Sequence, residues 1–63
     1  MDNIVENAVI QYQDYSGNWE ACEYLGRSTS GEITRTMKAT QNRLNGKRIR
    51  CIDNDSGRIV DIL

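Results

Sequence analysis

Histidine and phenylalanine are both missing from this chain of 63 residues, and only two cysteines occur, Cys22 and Cys51. The lack of histidine removes the commonest general base and the commonest metal ligand. The cysteines are 29 positions apart with no CxxC partner, so a zinc site would have to be completed by carboxylates. Two cysteines are also too few for a disulfide-built mini-protein. They read as free, reduced thiols that behave as small hydrophobes within strands. Without phenylalanine, Trp19 and three tyrosines are the only large aromatic anchors. No apolar run approaches the ~20 residues that span a bilayer. The first ten residues carry Asp2 and Glu6 where a secretory leader would be basic and then apolar, so the expected compartment is the cytoplasm and no membrane partner is expected.

What is present is 38% hydrophobic and 27% charged residues, the balance of a soluble globular domain. A chain this short forms one domain, 1–63, and buries only roughly 60% of the surface its unfolded form exposes. Its net charge of −1 hides a strong asymmetry. Residues 1–26 carry −5, residues 27–50 carry +6, and residues 51–63 carry −2. Two readings follow. Either an acidic hairpin neutralises a basic helix and strand within one fold, or the cations form a polyanion-binding face.

A turn signal occurs twice, in Asp14-Tyr15-Ser16-Gly17-Asn18 and in Asn54-Asp55-Ser56-Gly57-Arg58, each flanked by β-branched and aromatic residues. These mark two hairpins. The first joins a strand at 8–13, after a frayed lead-in at 1–7, to a strand at 19–25. The second joins 48–53 to 58–63. Between them, Gly26 to Gly31 reads as a polar loop. Ile33, Met37, Thr40 and Leu44 recur at helical spacing from about Ser30 to Asn45. Thr29 and Glu32 have capping-box spacing, with Ser30 as a competing cap, and Gly46 is placed to end the helix. The expected fold is a small α+β domain of order ββαββ, its one amphipathic helix packed on one face of the sheet.

The inward set expected from alternation is Ile10, Tyr12, Trp19, Ala21, Leu25, Ile33, Met37, Leu44, Ile49, Cys51, Val60 and Ile62. One helix leaves the other sheet face open, with Glu20 and Asp61 placed to pair with Arg48 and Arg50. Tyr24, Ile52, Ile59 and Leu63 remain there as a candidate partner surface. The alternative surface is the cation set Arg35, Lys38, Arg43, Lys47, Arg48 and Arg50.

No constellation for catalysis or cofactor binding emerges. Asp53-Asn54-Asp55-Ser56-Gly57 has the look of a calcium loop, but its glycine falls one place early and no twelfth-position glutamate follows. The Ser/Thr loop before the helix is a generic cap rather than a phosphate cradle. In general character the chain resembles the short open reading frames of bacteria and their phages, from which no functional residue follows. The leading expectation is a non-catalytic interaction module that binds a protein partner or itself. The alternative is a nucleic-acid-binding accessory protein using the basic helix and third strand.

Overall fold

The computed structural model describes residues 3–63; Met1 and Asp2, part of the expected lead-in, lie outside the described residues. Strands β1 (Ile4–Gln13), β2 (Trp19–Thr29), β3 (Ile49–Asp53) and β4 (Arg58–Ile62), with helix α1 (Ser30–Arg43), follow one another in the order ββαββ. All four strands join one antiparallel sheet in the spatial order β2-β1-β3-β4. The two hairpins therefore meet along β1 and β3, and β2 and β4 form the edges.

Both turns form where the glycines stand. The Asp14 carboxylate accepts from the amides of Ser16 and Asn18, and Gly17 takes a φ of 88°. In the second turn Asp53 accepts from Asp55, and Gly57 takes a φ of 76°. Side chains other than glycine rarely adopt such angles.

The helix is capped as its sequence demands. Thr29 Oγ1 accepts from the Glu32 amide at 3.2 Å, while the Glu32 carboxylate accepts from the Thr29 amide at 3.1 Å and from its hydroxyl at 3.0 Å. Those bonds hold the Glu32 carboxyl below the usual carboxylate range. Leu44 is the C-cap, and Asn45 and Gly46 take positive φ to end the helix.

Two expectations about the first half of the chain are corrected. Residues 4–7 are not a frayed lead-in: Ile4 and Val5 pair with Thr29 and Ser28, and Val5 is buried in the core. The polar loop at 26–31 does not exist either, because β2 runs on to Thr29 and the helix starts at the next residue. The two corrections share a cause. Each segment satisfies the other's backbone groups, and neither carries enough apolar residues to announce a strand alone.

The core under the helix is Val5, Ala8, Ile10, Ile33, Met37, Ile49 and Cys51, with Tyr12, Cys22, Leu25, Leu44 and Val60 packed around it. Trp19, Ala21 and Ile62, expected inside, are not in this cluster, and Cys22 takes the place of Ala21. Register shifts explain the exchange. The β1 and β2 pairing slips between Ala8 and Val9, where Leu25 is the extra residue, and again between Ile10 and Gln11, where Cys22 is. The β3 and β4 pairing slips between Cys51 and Ile52, with Val60 as the extra residue. Each of these three bulged residues packs on the core.

Met37 sits at the centre of this layer and is fully buried. Met37→Asp should cost at least ~2 kcal/mol, because it leaves an unpaired charge among apolar side chains. Chemical denaturation followed by circular dichroism checks this, and a variant with an unchanged midpoint would mean that the helix stripe is not core.

Candidate functional site

Strand pairing sets four apolar residues side by side on the sheet face away from the helix. Val9 on β1 is opposite Tyr24 on β2 and Ile52 on β3, and Ile52 is opposite Ile59 on β4. Directly opposed residues share a face, so Tyr24, Val9, Ile52 and Ile59 form one row across all four strands. Val9 is 2% exposed, yet it lies outside the cluster packed beneath the helix. Only its neighbours on the open face bury it. The ends of the row are bare, with Tyr24 74% exposed and Ile59 52% exposed.

A second row lies alongside: Ala21, Gln11, Arg50 and Ile62. Arg50 Nε donates to Gln11 Oε1 at 2.7 Å, and the guanidinium carbon stands 4.3 Å from the centre of the Trp19 ring. Trp19 thus sits on the open face, paired through Gln13, rather than in the core.

Of the expected partner surface, Tyr24, Ile52 and Ile59 come together, while Leu63 lies past the end of β4 with its amide bonded to the Ile49 carbonyl. Val9, Ile62 and Trp19 belong to the face as well; Ile62 and Trp19 were expected in the core. Val9 was legible from its alternation against Ile10. Trp19 and Ile62 were not, because bulges invert the phase on both edge strands.

The cations do not converge. Arg35 and Lys38 are exposed on the helix and flank a shallow depression with Ser30, Gly31 and Thr34. Arg43 ends the helix, Lys47 rests its ammonium 4.1 Å from the Tyr15 ring centre, Arg48 is exposed, and Arg50 lies on the opposite face of the sheet. The expected pairing of Glu20 and Asp61 with Arg48 and Arg50 does not form. Among the described residues the one ion pair is Arg27 to Glu6 at 3.5 Å, between exposed side chains of the first hairpin. Gln11 and Trp19 satisfy Arg50 instead, and bonds between neighbouring strands outcompete exposed ion pairs worth little in water.

A groove of about 570 Å³ lies between Ile4 and Val5 on one side and Arg58 to Asp61 on the other, with Ser30 and Ile33 at its helix wall. Its lining mixes both charge signs with aliphatic groups and assembles no set of groups for chemistry. Among the described residues no three histidine, cysteine or acidic side chains are grouped to hold a metal ion, and no helix is long and apolar enough to cross a membrane.

Both thiols are free, Cys51 buried and Cys22 half-buried, its Sγ donating to the Ile10 carbonyl at 3.4 Å. Burial pushes both above their ordinary value of 9.0, with Arg43 partly opposing this at Cys22. Raised values favour the neutral thiols of the folded state, a contribution complete below about pH 9 and lost as pH rises further. Stability should therefore fall above pH 9. At pH 7.5 iodoacetamide should modify Cys22 slowly and Cys51 more slowly still, with both modified rapidly in denaturant. Rapid modification of Cys51 in the folded protein, followed by mass spectrometry, would contradict its place in the core.

No protein-family model matches the chain, and neither the curated proteins nor the solved structures contain a match to it.

Proposed function

We propose that this chain is a small non-catalytic interaction module that docks a protein surface on the uncovered face of its sheet. The observation that carries the reading is the row of Tyr24, Val9, Ile52 and Ile59, apolar across all four strands and without a covering layer. An antiparallel sheet with one solvated face ordinarily presents polar side chains there. An aromatic, two isoleucines and a stacked arginine and tryptophan have instead the composition of an interface centre. Beside the row, Arg50 Nε is bonded to Gln11 Oε1 and the guanidinium lies over the Trp19 ring, so part of this polar margin is paired within the chain.

The bulges favour the face over the strand edges. Both edge strands are irregular, and β2 adds Glu20, Glu23 and Arg27 along its length. Bulges and charges of this kind discourage strand addition. A cytoplasmic setting accompanies the reading, in keeping with two unbridged thiols.

The nucleic-acid alternative draws less support, because Arg35, Lys38 and Arg43 lie on the helix, Lys47 and Arg48 in the connection that follows it, and Arg50 on the far side of the sheet. A phosphate-tracking surface needs them on one side. The test is photocrosslinking in cells expressing the full chain. With p-benzoylphenylalanine in place of Tyr24 or Ile59, discrete protein adducts should form, and with it in place of Lys38 none should. Adducts confined to position 38, or nucleic acid recovered from it, would overturn the reading.

A further inference from the structure

We propose that the surface docked on the open face is that of a second copy of this chain, an inference that rests on the docking reading above. Size is the first argument. A stable interface takes about 800 Å² from each partner, close to a fifth of the 4178 Å² that the chain exposes. The molecule measures 34 by 22 by 15 Å, so only a broad face, roughly 700 Å² in outline, approaches that requirement. One broad face is taken by the helix; the open face is the other.

Charge is the second argument, and it selects the partner. On one side of the apolar row stand Gln11 and Arg50, which bring a positive charge. On the other side, two residues back along β1, stands Asn7, whose amide donates to the Asp55 carboxylate at 3.1 Å. The row is thus flanked by a cation on one side and an anion on the other. A two-fold axis along the row, crossing the strands, turns the second copy end for end. Tyr24, Val9, Ile52 and Ile59 then lie on their own counterparts, and Arg50 of each copy faces Asp55 of the other. A self-complementary face of this kind is what an isologous dimer requires, and two opposed charge pairs flanking an apolar centre set its register.

Sedimentation equilibrium of the full chain from micromolar to millimolar concentration tests this, with the fold of each variant verified by circular dichroism. The wild type should sediment as a dimer of 7.2 kDa chains. Ile52→Glu should weaken association at least ~30-fold, as loss of a central interface side chain does. Arg50→Glu and Asp55→Arg should each weaken it about tenfold, and the double variant should return to within about threefold of wild type. Asp55 is exposed on a turn, so its variant stays informative even if changes at Ile52 or Arg50 disturb the fold. A monomer at every concentration would overturn the self-partner while leaving docking to stand if Tyr24 still crosslinks to another protein. Both inferences fall together if the monomer also gives no adducts. A dimer indifferent to Ile52→Glu, or a double variant no tighter than the singles, would overturn the proposed geometry.

Discussion

One strand carries apolar residues on both of its faces, and the rest of the domain is arranged around it. In β1, Ala8 and Ile10 point to the helix and are sealed by Met37, Ile33, Ile49 and Cys51. Val9 between them points the other way and is equally buried, with no layer above it. A central strand of this kind must have neighbours on both sides, which is why β2 and β3 flank it while the hairpin turns place β4 at the edge. The one helix among the described residues packs on a single apolar face of the sheet. The uncovered row follows from a central strand that is apolar on both faces beside a single helix.

The bulges reconcile this strand with its edges. Regular alternation would put Cys22 and Leu25, three residues apart, on opposite faces, and would put Val60 and Ile62 on the same one. The register shifts bring Cys22, Leu25 and Val60 to the core and leave Ile62 beside Arg50 on the open face. A fourth irregularity, between Val5 and Ala8, lets both of those residues face the helix. The thin core therefore gains side chains from positions that a flat sheet would turn outward, at the cost of ladder regularity on β2 and β4. The same irregularity blunts the edges against unwanted pairing.

This also marks the limit of what the sequence discloses. The helix was legible because cap, stripe and stop are local signals that agree: Thr29 with Glu32, Ile33 with Met37, and Gly46 at the end. The turns were legible for the same reason. Bulges are set by cross-strand packing, and nothing local to Cys22 or Val60 reports them, so a period-2 reading drifts out of phase and carries Trp19, Ala21 and Ile62 inward. The extension of β2 through Gly26, Arg27, Ser28 and Thr29 was hidden by loop-like composition, since what holds it extended is pairing with Ile4 and Val5. Of the candidate surface, Tyr24, Ile52 and Ile59 were legible singly, but their alignment through Val9 is a fact of register.

The fate of Arg50 shows why charge was the weakest guide. Formal balance suggested that the acidic first hairpin would neutralise the basic middle of the chain, and Glu20 and Asp61 were the natural partners. Yet an exposed carboxylate offers an arginine little that water does not, whereas the Gln11 amide oxygen on β1 and the Trp19 indole on β2 both contact the guanidinium. The stem and planar head of Arg50 extend the apolar surface. Trp19, placed on the open face by the register of β2, meets the guanidinium there. The cation expected to form part of a phosphate-binding surface thereby lies beside the apolar row, across the sheet from the helix that carries Arg35 and Lys38.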